Sequence, residues 1–222
     1  MNTLLLYPIP TDPALNFPGR RSLWSRLAGF AAAALGFLLI VNSSTAMTVI
    51  PPSFQELVAS STQVLRVEVT GVSTRWDPSA NGKLIHTYVQ CTILKTLKGT
   101  PANSITLRLL GGQVGDVHFE VPGMPTFEVG HTYVVFVAGN GSAFCPIVAA
   151  THGSFPIVTD ASTHEEHVLG GNRQPLLSVD EVSVPMPDAA GRSPTTAIAG
   201  AGLSRADFED SISREVAREN AH

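Results

Sequence analysis

The sequence predicts a mainly β protein: a small closed or nearly closed antiparallel barrel, with one short helix before it and one helix at the C-terminus. Three observations predict this. Apolar and polar residues alternate with the two-residue period of half-buried strands over Leu65-Val67-Val69, Val89-Cys91-Ile93 and Ile105-Leu107-Leu109. A nearly continuous apolar run, Tyr133 to Val137, has the pattern of a strand buried on both faces. Turn dipeptides separate these runs, and no segment of helical period interrupts them. Closure into a barrel removes the exposed edges that a long sheet would leave open to aggregation, and a two-layer sandwich is the alternative.

The chain has 222 residues, 44% hydrophobic and only 14% charged, which excludes a charge-rich disordered chain. Its 19 glycines and 16 prolines follow no fixed period, so they indicate many turns and not a collagen-like repeat.

Residues 1–46 predict a signal peptide or an N-terminal membrane anchor. Arg20, Arg21 and Arg26 precede the uncharged run Leu27 to Val41, which is shorter than the roughly 20 apolar residues of a full membrane crossing. Ser44 and Ala46 are the small residues a signal peptidase accepts, so cleavage after Ala46 would start the mature chain at Met47. An uncleaved anchor is the alternative. Either way the arginines stay cytoplasmic and the remainder is exported, periplasmic or secreted, touching the membrane only through this segment. Beyond Ala46 the chain carries 11 Lys or Arg against 17 Asp or Glu, a net charge of −6. That lacks the basic footprint phosphate binding requires, and argues against a nucleic-acid partner.

The barrel domain is expected over 53–158. Ser53 with Glu56 makes a capping box that opens a short helix over Phe54, Leu57 and Val58. A first strand runs from Gln63 to Ser73. Thr74 to Lys83, with Asp77-Pro78 and Asn81-Gly82, is expected as a loop in which Trp76 covers a barrel end. A second strand spans Leu84 to Leu97, Lys98-Gly99 turns the chain, and a third strand carries Ile105, Leu107 and Leu109. Gly111-Gly112 ends it before a fourth, Val117 to Val121, so that four strands in sequence favour a meander. Pro122-Gly123-Met124-Pro125 must be a loop, because two prolines lack backbone donors. After the buried strand, Asn140-Gly141 is a hairpin signal, Phe144 to Ala149 returns, and Phe155 to Val158 ends the barrel. A hairpin extension is expected over 159–181 and a flexible linker over 182–203, rich in Pro, Ala, Gly, Ser and Thr. The last helix, 204–219, opens at Ser204 and Asp207 and shows Phe208, Ile212 and Val216 on one face. So thin an apolar stripe must dock on the barrel, contact a partner, or fray.

Phe54-x-Glu56-Leu57-Val58, Lys98-Gly99, Val114-Gly115, Val121-Pro122-Gly123-Met124-Pro125-x-Phe127-x-Val129-Gly130 and Val134 to Val137 together resemble a group of uncharacterised exported bacterial proteins. More distantly, the order of helix, long strand pair, lysine-glycine turn and glycine-led buried strand resembles the oligosaccharide/oligonucleotide-binding (OB-like) barrel of netrin-like and metalloproteinase-inhibitor domains. That inhibitor family chelates the protease zinc through an amino-terminal cysteine. Here no cysteine precedes Cys91, so the resemblance implies only the barrel shape.

No motif assigns a catalytic residue, a metal or a cofactor. His164-Glu165-Glu166-His167 is the densest run of ligand-type side chains, but its histidines are three apart, not the four of the zinc-protease helix, and an exposed polar loop explains it better. His118 and His131 are commonplace at strand positions, and Asp116 and Glu120 are surface acids. Gly153-Ser154-Phe155 lacks the glycine pattern of a nucleophile elbow, and Gly111 to Gly115 lacks the Lys-Ser of a phosphate loop. Two functional classes follow. The first is an exported non-enzymatic binding domain with a protein partner, for which Val114 and Met124 are the candidate contact patch. The second is a hydrolase or metalloenzyme assembled from dispersed residues such as His118, His152, His164 and His167. Cys91 and Cys145 are expected inside the barrel, either as a disulfide or as two buried thiols.

Overall fold

Alternation and capping build the expected elements, with two departures that shape the candidate site. The computed structural model describes residues 51–80, 82–184 and 202–221, all within a unit spanning Ala46–His222. The leader, its cleavage site and most of the expected linker lie outside the described residues.

Helix α1 (Phe54–Ala59) starts as predicted: the Ser53 hydroxyl accepts from the Glu56 N–H at 3.2 Å while the Glu56 carboxylate accepts from the Ser53 N–H at 2.8 Å. Strands β1 (Gln63–Ser79), β2 (Gly82–Lys98) and β3 (Ser104–Leu110) form a meander. Strand β6 (Thr132–Val137) pairs with the other side of β1, followed by β7 (Ser154–Thr159) and β8 (Glu166–Val168). The result is one six-stranded antiparallel sheet in the order β3-β2-β1-β6-β7-β8.

The first departure is that β1 does not stop at Ser73. The ladder continues through Arg75↔His86 and Trp76↔Ile85 to Ser79↔Gly82, so Trp76 lies in a strand and not in a loop. Pro78 is tolerated because it sits at the hairpin end, where a missing donor costs little. A register shift between Val69 and Gly71 bends this long ribbon. The second departure concerns the expected fourth strand. It leaves the main sheet, and β4 (Gly112–Val114) and β5 (Val117–Phe119) form their own hairpin. That hairpin lies across the inner side of β1 and β2. The Thr87 hydroxyl donates to the Gly111 carbonyl at 2.8 Å, and that of Thr74 donates to Gln113. Gly112 permits the approach: at φ +128° a Cβ there would stand 2.5 Å from Thr87 Oγ1.

β6 is buried on both faces, as its apolar run predicts. Val134 and Phe136 enter a core with Phe54 and Leu57 of α1, Phe155, and Phe208 and Ile212 of α2 (Arg205–Glu219). Tyr133, Val135 and Val137 enter the inner core with Leu65, Val67, Val89 and Leu107. The C-terminal helix therefore docks. The hairpin 159–181 is no separate extension either, since β8 continues the sheet and Val168 and Leu176 join the helix-covered core. Val182 is buried in a 3₁₀ helix, Val179–Ser183, where the linker was expected to begin.

The return after β6 is present as a short bridge. Ala138 N–H donates to Pro146 at 2.8 Å and Val148 N–H to Phe136 at 2.9 Å. The far side of this return reaches β3. The Phe144 carbonyl accepts from Leu110 N–H at 2.8 Å, and the Asn140 amide accepts from Arg108 N–H and donates to the Thr106 carbonyl. One side-chain amide thereby occupies the outward groups of an edge strand that would otherwise be open to another chain.

Cys91 and Cys145 share the inner core, as expected, and both are free thiols; Cys91 Sγ contacts the Val89 carbonyl and Cys145 Sγ that of Ile147. Burial pushes the Cys91 thiol up to about 11 and raises that of Cys145. Neither is nucleophilic near neutrality. The folded protein should therefore take up no iodoacetamide at pH 8, and the denatured, unreduced protein should take up two equivalents. An unlabelled denatured chain would show the pair to be bridged.

Candidate functional site

Helices α1 and α2 cover only part of the outer face of the sheet. Beyond them, the far ends of β1 and β2 and the neighbouring β3 carry a polar group in which Ser73 and Arg75 are exposed, Asp77, Tyr88 and Arg108 half-buried and His86 buried. Alternation puts on this face the residues opposite to the inner-core positions Val89 and Leu107. They are Arg75 and Asp77 from β1, His86 and Tyr88 from β2, and Arg108 from β3, aligned by the registers Arg75↔His86 and Tyr88↔Arg108.

Asp77 organises the group. Its Oδ2 accepts from the Tyr88 hydroxyl and lies 3.1 Å from His86 Nδ1, while its Oδ1 accepts from Arg75 Nε at 3.1 Å. The Tyr88 hydroxyl, and then Arg75 and His86, hold the Asp77 carboxyl below the usual aspartate range. The Arg75 guanidinium carbon lies 3.9 Å from the centroid of the Tyr88 ring. A cation is thus fixed along one edge by a carboxylate and across one face by an aromatic ring, yet 65% of its side chain is exposed. Arg108 stands directly across β2 from Ser73, with Tyr88 between them in register, and its Nε has no hydrogen-bond partner among the described residues.

The arrangement presents a fixed cation and an aromatic ring side by side. Asp77 and His86 make the carboxylate-imidazole half of a nucleophilic triad; of the hydroxyls on this face, that of Tyr88 is spent on Asp77, and Ser73, in register with Tyr88, stands one pair further along the ladder from His86. The nearby threonines are committed elsewhere, Thr74 to Gln113 and Thr87 to Gly111.

Sequence reasoning missed this group. With Thr74 to Lys83 read as a loop, Arg75 and Asp77 had no register against His86 and Tyr88. The available signal was the pair of i, i+2 polar positions on either side of Asn81-Gly82, a dipeptide that by itself can close a hairpin. A second group was missed for a different reason. Glu209 is 2% exposed and sits between Arg66 Nη1 at 3.1 Å, Lys95 Nζ at 2.7 Å and Arg205 Nη1 at 3.3 Å. In sequence it is an ordinary acid on the polar side of an amphipathic helix.

The residues singled out from sequence are dispersed. Val114 ends β4, half-buried. Met124, expected in a loop as part of a contact patch, is half-buried and packs on the inner core together with Phe127, whose ring meets Tyr133 edge-on at 5.0 Å. His118 is exposed on β5, 3.7 Å from Glu120. His164 is exposed in a turn at φ +59°. His167 is not part of an exposed loop: it is buried on β8 with Nδ1 3.1 Å from the Gly202 carbonyl. His152 is buried in the 3₁₀ turn Ala150–Gly153, where burial lowers its pKa. Among the described residues no three His, Cys, Asp or Glu side chains are grouped so as to hold one metal ion. An open groove of about 330 Å³ between α1, Val179–Ser183 and α2 sets Arg214 and Arg218 beside Asp180 and Glu215, so its charges answer one another. Among the described residues, no helix is long and apolar enough to cross a membrane.

No protein-family model and no curated protein matches the chain.

Proposed function

We propose that the protein is an exported, non-enzymatic binding domain that meets a protein partner in the envelope or outside the cell through the outer face of β1–β3 beyond the helices. One observation carries this: the face left uncovered by both helices holds a cation and an aromatic ring already fixed in position by Asp77. A contact made by preordered Arg and Tyr side chains loses little side-chain entropy on binding, and these residue types dominate interface energetics. The leader pattern supports export. Barrel character, nearly closed and similar to the netrin-like shape, is supported by the Asn140 and Phe144 bonds to β3 together with the Val137↔Ile147 bridge, which join β3 to β6 around the inner core. The contact surface is assigned to Arg75 and Tyr88 in preference to Val114 and Met124, because Met124 packs on the inner core.

A photo-crosslinking residue at Ser73, which pairs with Tyr88, tests the reading. Illumination in the native compartment should give one discrete protein adduct from that position and none from a control at the exposed Asp210 of α2. Equal labelling at both positions, or none at Ser73, would refute it.

A further inference from the structure

We infer that this face receives a carboxylate-rich, extended segment of the partner protein; the inference rests on the binding reading above and names the chemistry of its partner. The exported chain has a net charge of −6, yet among the described residues its outer sheet end sets Arg75 and Arg108 against the single carboxylate of Asp77. That carboxylate is already occupied by Tyr88, His86 and Arg75. The next acid along β1, Glu68, lies seven residues from Arg75, on the order of 20 Å at the rise of a strand. The local field is therefore positive on an otherwise acidic molecule, which draws an acidic partner toward this face.

The donors fit carboxylates. Asp77 takes the Nε edge of Arg75 and Tyr88 one of its faces, which leaves the outer edge of the guanidinium for a ligand. Arg108 lies two strands away, about 10 Å at the spacing of strands in a sheet. An extended segment with acidic residues two or three apart, crossing the strands, can reach both. The surroundings favour a polypeptide over a simple polyanion. Leu84, opposite Asp77 in register, is 37% exposed and Leu110, opposite His86, is half-buried, so an apolar margin borders the cations.

The test is fluorescence anisotropy with the purified exported protein and a labelled octaglutamate peptide, with a polyphosphate of matched charge as competitor. Octaglutamate should bind at low salt and release at high salt. Arg75→Gln and Arg108→Gln should each weaken binding about tenfold, the loss of one charge-assisted contact, while Arg214→Gln on α2 changes nothing. Thermal melts of the variants check that the fold persists. Binding that is absent, or unchanged in both variants, overturns the inference, and so does polyphosphate that competes as tightly as octaglutamate. Self-association lost on Arg75→Gln would also overturn it, by making a second copy the occupant. If the Ser73 crosslink succeeds while octaglutamate fails, the acidic-partner inference falls alone; if the Ser73 adduct is absent, the binding reading falls with it.

Discussion

Glu209→Ala is expected to destabilise the protein by about 3–5 kcal/mol, the cost of breaking a buried ion pair by removing one partner. For a domain of this size that lowers the melting temperature by on the order of 10 °C. The carboxylate is nearly inaccessible and its two oxygens are divided: Oε1 faces Arg66 and Arg205, Oε2 faces Lys95. Its removal leaves the cations unequally placed. Lys95 is about half exposed and can turn to water, whereas Arg66 is mostly buried and its Nε already lacks a partner among the described residues. Glu209→Gln should cost nearly as much, because a neutral amide of the same shape does not answer Arg66. Coupling between Glu209 and Lys95 in a double-mutant cycle should stay below about 1 kcal/mol, because the Lys95 ammonium keeps about half of its side chain in water. Urea unfolding measures all three. A loss below about 1 kcal/mol for Glu209→Ala would reduce the cluster to surface-pair strength.

Phe208→Ala is expected to cost a similar amount, about 3–5 kcal/mol, for a different reason. Phe208 is fully buried, and its ring lies 5.0 Å from Phe155, 6.0 Å from Phe54 and 6.4 Å from Phe136. Its ring meets aromatic rings of α1, β6 and β7 together, so the cavity left by truncation is walled by rigid elements and collapses poorly. Phe208→Leu should lose less than about 2 kcal/mol, because it retains most of the volume. Hydrogen exchange gives a second readout: truncation should speed exchange in α1 as well as in α2. Unchanged protection in α1 would show that the two helices are held independently. Neighbouring residues 208 and 209 thus hold one helix by two unlike means, an aromatic ring directed into the core and a carboxylate directed at the cations of β1 and β2.

What could be read before the fold was known were features set by near neighbours in the chain. The capping box at Ser53 and Glu56 depends on three residues' spacing, and it formed. The both-faces burial of Tyr133 to Val137 follows from an apolar run too short for a helix and bounded by turns. The stripe Phe208, Ile212, Val216 correctly marked the packed side of α2, and Cys91 was correctly put inside from its alternation with Val89 and Ile93. Where the reading failed, competing local signals were close in strength. Asp77-Pro78 is a turn dipeptide, but continued pairing of Thr74, Arg75 and Trp76 with β2 outweighs it once Asn81-Gly82 closes the hairpin. Val117 to Val121 has strand character, but two glycines before it turn the chain away from β3 and onto the inner side of β1 and β2.

By itself, then, the sequence determined the class of the protein, the positions of most strands, both helices and their apolar faces, because periodicity and capping act over a few residues. The tertiary structure alone decided which strand borders which, and with that the chemistry. Arg75 and His86 are eleven residues apart, and Arg66 and Glu209 are 143 apart. Each pair meets only after strand register and helix docking are set. Both are outcomes of the summed burial of two cores, and no local pattern around Arg75 or Glu209 encodes that sum.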